Sequence, residues 1–283
     1  MLRETVRVQY RHAPAANFGD LDAVLASAPG RPSLPVRLTL ELFGRCREHL
    51  AEPGPVVVWD PCCGTGQLLS TLGLLRGDEV AGLVGSDADP EPLSLAARNL
   101  ALLAPGGPDA RAAELDALAD RHDKPGYRDA AAAARRLGRS VTGPPSESGP
   151  QSESGPLSGS GPPSEICVAD ALAPEATGPI VARHRPRIVL ADVPYGRQTR
   201  WAGSGASIDG DRTDSDPMSD GSSTGTGPEA GLVSALARVL DADAVIAVVA
   251  RTRRVALGSG TPALDRLRVG HRAAAIVRAG EVR

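Results

Sequence analysis

Short apolar segments alternate with longer segments of mixed polarity along this chain of 283 residues. Each apolar segment is only a few residues long, and nearly all of its side chains are aliphatic. Such runs are typical of strands in a parallel sheet whose two faces are both covered. The five predicted strands are residues 56–59, 81–85, 166–169, 187–191 and 244–250.

Helical patterns lie between these strands. An alanine-rich stretch over residues 111–137 is also predicted to be helical, with a break at Lys124-Pro125-Gly126 because proline disrupts a helix interior. The other predicted helices are residues 67–75, 90–103 and 231–240.

The end of the sequence departs from this alternation. Residues 264–269 and 272–277 flank Gly270 and predict an antiparallel hairpin. Together with the strand–helix alternation, this hairpin predicts an α/β fold with a doubly wound, Rossmann-like sheet. The sheet is expected to be mostly parallel, with its antiparallel part at the C-terminal hairpin.

Two stretches interrupt the α/β pattern. Residues 143–165 contain 18 Gly, Pro or Ser among 23, and residues 203–230 are rich in Gly, Ser and Asp. Neither stretch buries enough apolar surface to offset the entropy of ordering it, so both are predicted to be flexible insertions. The rest of the sequence predicts an N-terminal extension over 1–35 and one domain over 36–283 that carries both insertions.

The formal net charge of −3 is the sum of an acidic part of the sequence and a basic part. The two insertions carry −3 and −5, so the other 232 residues carry +5. A mildly basic core is compatible with a polyanionic partner without requiring one. Aromatic residues make up only 2% of the chain, which argues against an RNA-binding domain built on base stacking.

Cysteine and histidine usage excludes several classes of protein. The four cysteines show neither a disulfide framework nor the spacing of a zinc site, and the five histidines show no metal-ligand spacing. No apolar run is long enough to cross a membrane, and no signal-peptide pattern is present. The sequence therefore predicts a cytoplasmic protein without a metal ion, and we expect it to be a monomer.

Candidate ligand-binding residues follow the first predicted strand. Asp60 precedes a turn containing Gly64 and Gly66, which allows close approach of backbone N–H groups to a ligand. Leu69 stands where the dinucleotide-binding fingerprint has its third small residue, and Asp60 suits an ammonium group better than a pyrophosphate. Cys62 and Cys63 are interpreted as small packing residues of this cofactor loop.

Two further carboxylates follow the second and third strands. Asp87 is placed to accept the two hydroxyls of a ribose, and Asp170 to meet an adenine amino group. Each aspartate alone is equally well explained as a turn former or a helix N-cap. In series with Asp60, however, they match a ligand with an ammonium, a ribose and an adenine, namely S-adenosylmethionine.

The fourth strand ends in Asp192-Val193-Pro194-Tyr195, which resembles the (D/N)-P-P-(Y/F) motif of methyltransferases that act on planar nitrogens. The Asp192 carboxylate and the Val193 carbonyl can accept hydrogen bonds from an N–H group and so orient the nitrogen. Pro194 stiffens the turn, and Tyr195 offers a stacking face for a base. Val193 replaces the first proline of the motif. Asp192, Pro194 and Tyr195 are therefore the candidate catalytic residues, and Asp192 is, like Cys62 of the first turn, also a candidate cofactor contact.

With these motifs, the chain resembles the class I S-adenosylmethionine-dependent methyltransferases, and within them the AviRa family of 23S rRNA guanine methyltransferases. The segments that carry this resemblance are Tyr10-Arg11-His12-Ala13 and residues 27–38, 59–75, 86–103, 190–201 and 264–279. The resemblance implies methylation of a guanine nitrogen in 23S rRNA, free or in the 50S subunit, and resistance to orthosomycin antibiotics. It lapses across the two insertions, the second of which begins close enough to the Tyr195 loop to alter target access.

Candidate RNA contacts are Arg11, His12, Arg37 and Arg197. The N-terminal stretch is equally well explained as an RNA clamp that covers the cofactor or as a solvated, frayed terminus.

Three other functions stay open at this point: a methyltransferase acting on DNA or another RNA, a dinucleotide-dependent oxidoreductase, and a catalytically silent S-adenosylmethionine-binding protein. The absence of a target-recognition domain counts against the first, and Asp60 with Leu69 against the second.

Overall fold

A computed structural model describes residues 10–31, 33–142, 161–193 and 227–283 of the chain. The described residues form one seven-stranded sheet in the order β3-β2-β1-β4-β5-β7-β6. The pairings among β1 to β5 are parallel, whereas β7 is antiparallel to both β5 and β6. The strands are β1 Val56–Asp60, β2 Val80–Asp87, β3 Ser164–Val168, β4 Ile188–Asp192, β5 Val245–Ala250, β6 Asp265–Val269 and β7 Arg272–Arg278.

Helices cover both faces of this sheet. None of the described helices combines the length and the apolar composition that a membrane crossing requires. The helices are α1 Gly19–Val24, α2 Val36–Glu48, α3 Gln67–Leu75, α4 Leu93–Leu100, α5 Gly107–His122, α6 Pro125–Thr142, α7 Pro174–His184 and α8 Pro228–Ala237.

Apolar side chains on both faces of the central strands create two hydrophobic cores. In β4, Ile188 and Leu190 belong to the core under α2 and α3, whereas Val189 and Ala191 belong to the core under α7 and α8. Because successive strand residues point to opposite faces, a strand buried on both sides has to be apolar throughout. The predicted parallel sheet and its C-terminal antiparallel hairpin are confirmed.

The predicted insertions overlap ordered structure at their C-terminal ends. β3 begins at Ser164, within the predicted insertion 143–165, and Glu165 of that strand forms an ion pair with Arg183 of α7. β3 is an edge strand of the described sheet, where polar side chains are tolerated. Likewise α8 begins at Pro228, within 203–230, because proline and Glu229 suit the first turn of a helix. The stretches 143–160 and 203–226 lie outside the described residues.

The first described residues are bound to α2 through the buried carboxylate of Glu41. The backbone N–H groups of Arg11, His12 and Ala13 donate to this carboxylate at 2.8–3.1 Å, and Arg45 Nε donates to it at 2.6 Å. Burial acts to raise the pKa of Glu41, but these donors outweigh it and hold the pKa below its usual value. The described part of the predicted extension is therefore attached to the domain.

Candidate active site

The turn after β1 is shaped by two glycines with left-handed backbone conformations. Gly64 has φ +50° and Gly66 has φ +70°, and Gly66 is the N-cap of α3. A Cβ atom on Gly66 would lie 3.0 Å from the Cβ of Ala96, so this glycine lets α3 pack closely against α4. A Cβ atom on Gly64 would meet no atom of the described residues within 4 Å. The helix α4 therefore packs against the turn at Gly66, whereas the turn is open at Gly64.

Asp60 lies at the carboxyl end of β1 with only 3% of its surface exposed. Its Oδ1 accepts a hydrogen bond from the N–H of Cys62 at 3.1 Å. Burial raises the pKa of Asp60 well above its usual value; the Cys62 N–H opposes this, and the negative charges of Asp87 and Asp192 add to it. The effects of Asp87 and Asp192 on the pKa of Asp60 indicate that the three carboxylates lie near one another.

Asp87 ends β2, next to β1 in the sheet. Its Oδ2 accepts a hydrogen bond from the Gly64 N–H at 2.8 Å, and its Oδ1 accepts one from the Asp89 N–H at 3.0 Å. Burial raises the pKa of Asp87, although these two donors and the charge of Arg31 offset part of the rise. The Gly64 N–H, which the sequence suggested would point to a ligand, is used instead to position Asp87.

Asp192 ends β4 on the other side of β1. Its Oδ1 is buried and has no hydrogen-bond partner among the described residues. Burial raises the pKa of Asp192 to about 7, and the positive charges of Arg272 and Arg251 offset part of this effect. An unpaired buried carboxylate oxygen is energetically costly, so it is suited to accept a hydrogen bond from a ligand.

The three strand ends together create a region that favours a cation. Asp60, Asp87 and Asp192 stand on adjacent parallel strands in the order β2-β1-β4, and all three have raised pKa values. Like charges held close together in a partly dry site disfavour ionisation, and a positively charged ligand relieves that cost. The ammonium and sulfonium of S-adenosylmethionine fit this requirement, and the open side of Gly64 gives access to it.

Asp170 follows β3, the strand next to β2. Its Oδ1 accepts a hydrogen bond from the Leu172 N–H at 2.9 Å, and its carbonyl accepts one from the Ala173 N–H at 3.0 Å. This local turn is the structural role that an aspartate after a strand commonly has. Within the turn, Asp170 lies at the carboxyl edge of the sheet that also carries Asp87, because the Ala169 N–H donates to the carbonyl of Asp87.

The two cysteines of the turn are not nucleophiles at neutral pH. Burial raises the pKa of Cys62 well above its usual value, and the charges of Asp60 and Asp87 raise it further. Cys63 is buried, and burial raises the pKa of its thiol as well. A neutral thiol is a weak nucleophile and a poor metal ligand. Among the described residues, no group of three or more His, Cys, Asp or Glu side chains is arranged to hold a metal ion.

The segment before α2 packs against the turn between β1 and α3. The residues that make this contact were not predicted from the sequence to belong to a site. Asn99 of α4 donates to the carbonyls of Ala26 and Thr65 at 2.9 and 2.8 Å and accepts from the Ala26 N–H at 2.7 Å. Arg31 forms an ion pair with Asp89, close to Asp87. The available signal was an asparagine between the apolar residues of the predicted helix 90–103, since a polar side chain that becomes buried there requires partners.

The predicted RNA contacts have different surroundings. Arg11 forms ion pairs with Glu48 and Asp265, and His12 lies 3.0 Å from Glu48. Arg37 stacks on the ring of Tyr10, with its guanidinium carbon 3.9 Å from the ring centroid. The charge of Arg11 is thus balanced within the protein, and His12 faces a carboxylate. Pro194, Tyr195 and Arg197 lie outside the described residues.

Comparisons with known proteins point to one family. A family model described as the rRNA methyltransferase AviRa matches residues 8–211. A 23S rRNA (guanine(2535)-N(1))-methyltransferase from Streptomyces viridochromogenes is 41% identical over 276 residues, which cover 96% of this chain and 97% of that protein. Two solved structures of the rRNA methyltransferase aviRa from the same organism each superpose with a TM-score of 0.76 at 40% identity, again covering 96% of this chain and 97% of theirs.

Proposed function

Because the chain belongs to the AviRa family of rRNA methyltransferases, we propose that it methylates a ring nitrogen of a guanine in 23S rRNA with S-adenosylmethionine as methyl donor. The name of its relative specifies N1 of guanine 2535 as the target of that protein. The observation that carries the proposal is the cluster of three carboxylates at the ends of β1, β2 and β4, in a chain similar to this relative over nearly its whole length. Methylation of this target then accounts for resistance to orthosomycin antibiotics.

The residues that would hold the cofactor are Asp60, Asp87 and Asp170 together with the turn that contains Cys62, Gly64 and Gly66. When bound, S-adenosylmethionine supplies a methyl group on a positively charged sulfur. The protein's own contribution is to hold and align the reacting groups and to exclude water from them. Asp60 favours a cation because a positive charge beside it offsets the cost of ionising this buried carboxyl, and Gly64 leaves room at the turn.

Asp192 has the properties required of a group that meets the target nitrogen. The N1 atom of a neutral guanine carries a hydrogen, which has to be accepted before the nitrogen can be methylated. A carboxylate whose pKa lies near 7 is ionised in a large fraction at neutral pH and is still basic enough to accept a proton. Within the motif that Asp192 begins, we assign to Pro194 the stiffening of the loop and to Tyr195 the stacking on the base.

The target base has to leave its helix to reach this loop. A paired guanine hides its N1 and amino groups, so the substrate guanine is unpaired or flipped out. Arg37 and Arg197 remain proposed contacts to the RNA, as do Arg11 and His12, each of which has an acidic neighbour. The substrate is 23S rRNA, either free or within the 50S subunit.

The test is transfer of labelled methyl groups by the wild-type protein to naked 23S rRNA, to assembled 50S subunits and to DNA, followed by mapping of the label. We expect incorporation at a guanine of the RNA and none in DNA. Replacing Asp192 with Ala is expected to reduce transfer at least about 100-fold, a larger effect than on the binding of S-adenosylmethionine, which Asp60 and Asp87 still favour. The control is Asp120→Ala, which removes an exposed carboxylate of α5.

Two results would contradict the proposal. Label in DNA alone would assign the chain to another class of methyltransferase. Transfer by the Asp192→Ala variant at the rate of Asp120→Ala would show that Asp192 does not take part in the reaction.

A further inference from the structure

We propose that Arg31 is a positioning residue of the cofactor site, which through Asp89 holds Asp87 ready to accept the ribose hydroxyls of S-adenosylmethionine. The inference rests on the proposed function, since it concerns the same cofactor. Arg31 lies in the stretch 27–38, one of the segments that carry the resemblance to the AviRa family. We call residues 26–31, which follow α1, the N-terminal loop.

The N-terminal loop begins beside the turn between β1 and α3. The side-chain amide of Asn99 donates to the carbonyls of Ala26 and Thr65 at 2.9 and 2.8 Å, so one buried side chain joins the loop to the turn. Gln67, the first residue of α3, donates to the same Ala26 carbonyl at 3.0 Å. The first residue of the loop is therefore fixed next to the glycines that shape this turn.

The N-terminal loop ends beside the turn between β2 and α4. Arg31 Nη2 donates to Asp89 Oδ2 and lies 3.4 Å from Oε2 of Glu91. The side chains of Arg31 and Asp89 are each 30% exposed, whereas that of Glu91 is 83% exposed, so the pair with Asp89 is less screened by water. Within the loop, Gly30 has φ +75° and the Arg31 N–H donates to the Ala28 carbonyl at 3.2 Å. The loop thus connects the two turns that carry the predicted cofactor residues.

Asp89 links Arg31 to Asp87. The Asp89 N–H donates to Asp87 Oδ1 at 3.0 Å, so the backbone of Asp89 orients the Asp87 carboxylate. The carboxylate of Asp89 is itself held at both oxygens, because its Oδ1 accepts from the Glu91 N–H at 2.9 Å and its Oδ2 accepts from Arg31. The Glu91 N–H and Arg31, in that order, hold the pKa of Asp89 below its usual value. Removing Arg31 releases one oxygen of Asp89 and loosens the turn that supplies Asp87 with a donor.

The charge of Arg31 also acts on Asp87 directly. Burial raises the pKa of Asp87 and the charge of Asp89 adds to the rise, whereas the N–H groups of Asp89 and Gly64 and the charge of Arg31 oppose it. Burial acts to lower the pKa of Arg31, but Asp89, Asp87 and Glu91 outweigh it and raise the pKa. An ionised carboxylate only accepts hydrogen bonds, so a cation nearby keeps Asp87 in the form that suits two hydroxyl donors.

The surroundings of Arg31 favour this role over contact with an RNA phosphate. The guanidinium already faces the carboxylates of Asp89 and Glu91, and a phosphate at the same place would meet their negative charges. A purely structural ion pair, the third role open to Arg31, would affect all parts of the cofactor alike. Dependence on the ribose hydroxyls therefore separates the three roles.

The experiment measures how far the effect of Arg31 depends on the ribose hydroxyls. The full chain is prepared as wild type and as the variants Arg31→Gln, Arg31→Lys and Asp89→Asn. The control is Arg98→Gln, because Arg98 of α4 also forms an ion pair with another element, at Glu114 of α5, and its side chain is 36% exposed. Calorimetric titration gives the Kd of each protein for S-adenosylhomocysteine, the demethylated cofactor, and for its analogue without the two ribose hydroxyls. Urea unfolding, affinity for 23S rRNA and the rate of methyl transfer are measured alongside.

We expect Arg31→Gln to bind S-adenosylhomocysteine about 10-fold more weakly, while its affinity for the analogue changes less than about 2-fold, since the analogue lacks the groups that Asp87 accepts. Asp89→Asn is expected to show the same preference, because it breaks the same ion pair. Arg31→Lys keeps the charge and should stay within about 3-fold of wild type. The control should match wild type with both ligands. In Arg31→Gln the KM for S-adenosylmethionine should rise with little change in kcat, because Asp192 is untouched.

Equal losses for the two ligands in Arg31→Gln would overturn the proposal, since Arg31 would then act on the fold in general and not through Asp87. Affinities equal to those of the control would overturn it as well, and so would a loss confined to the binding of 23S rRNA, which would make Arg31 an RNA contact. If Arg31→Lys were as weak as Arg31→Gln, the charge would not be what holds Asp89, and the proposal would fail.

The proposed function fails separately. If wild type transfers no methyl group to RNA but the dependence on the ribose hydroxyls is found, the role of Arg31 stands and the proposed reaction falls. If methyl transfer proceeds but Arg31→Gln binds both ligands as wild type does, the reaction stands and the role of Arg31 falls. A wild-type protein without affinity for S-adenosylhomocysteine would overturn both.

Discussion

At the scale of single residues, Asp192 carries a charge that the folded protein makes costly. Burial raises the pKa of its carboxyl from the usual value near 4 to about 7. Between these two values the folded state holds a proton that the unfolded state releases. Stability therefore falls as the pH rises through this window, and it stays constant on either side of it.

Replacing Asp192 with Asn removes this pH dependence. Between pH 5 and pH 7 the free energy of unfolding of the wild type should fall relative to Asp192→Asn by about 2 kcal/mol, from the 1.36 kcal/mol that corresponds to one pH unit. Urea unfolding of both proteins at pH 5, 6, 7 and 8 measures the difference. Asp120→Asn, at an exposed site, should show no such trend. A constant difference between Asp192→Asn and wild type across this range would rule out a raised pKa.

The residues found from sequence differ from those that were missed in how local their signals are. Asp60, Asp87 and Asp192 each end a strand, so the position of the strand alone places the carboxylate. Asn99 and Asp89 have partners 73 and 58 residues away, namely Ala26 and Arg31. No sequence pattern within a short window indicates such a contact, so the fold has to be known before the partner can be identified.

At the scale of elements, the turn between β1 and α3 uses its two glycines for different purposes. Both have positive φ, which disfavours any residue with a Cβ atom. Only Gly66 is also in close contact, with Ala96 of α4, whereas no atom of the described residues lies within 4 Å of the position that a Cβ on Gly64 would take. Gly66 therefore serves the packing of two helices, and we propose that Gly64 leaves room for the cofactor.

Alanine substitutions separate these two purposes. Gly66→Ala should lower the free energy of unfolding by about 2 to 4 kcal/mol, from backbone strain together with the contact to Ala96. Gly64→Ala should cost only about 1 kcal/mol, from strain alone, but should weaken binding of S-adenosylmethionine at least about 10-fold. Urea unfolding and calorimetric titration measure the two effects. If Gly64→Ala bound S-adenosylmethionine as tightly as wild type, the open side of the turn would not be where the cofactor lies.

Strands were easier to predict than helices in this chain. Four of the five parallel strands, β1, β2, β4 and β5, contain short runs of apolar residues, whereas β3 at the edge begins with Ser164 and Glu165. The segment that forms α2, in contrast, begins VRLTLEL, an alternation typical of a strand, yet it is a helix buried on nearly all sides, including Thr39 and Glu41. The helix α7 contains Pro179, and α1 has only six residues, so neither gave a clear periodic signal.

At the scale of the whole molecule, one network of charges joins segments that are far apart along the chain. Glu41 and Arg45 of α2 are in contact with each other, and Arg45 also donates to Asp265 at 2.7 Å, 220 residues away. Arg11 reaches the same Asp265 as well as Glu48. The network fixes the N-terminal segment, α2 and the β6–β7 hairpin relative to one another.

Replacing Glu41 with Gln should disrupt this arrangement. It leaves the buried Arg45 without its partner on α2 and weakens the acceptor for three backbone N–H groups, a loss of about 3 to 5 kcal/mol in unfolding free energy. The matched control, Glu48→Gln, removes a carboxylate of the same helix that is 40% exposed, for which about 0.5 kcal/mol is expected. Urea unfolding with hydrogen exchange at residues 10–13 provides the measurement. Equal losses in the two variants would mean that Glu41 does not hold the N-terminal segment.

The order of the strands along the chain has a consequence for synthesis. The strand β6 precedes β7 in the sequence, but in the described sheet its neighbour is β7, which lies between it and β5. During translation β6 emerges before any strand to which it can bind, so it has to wait until β7 has been made. A nascent chain therefore lacks the outer part of its sheet while the ribosome is still extending it, and Asp265 of β6 cannot yet join the N-terminal segment and α2 through Arg11 and Arg45.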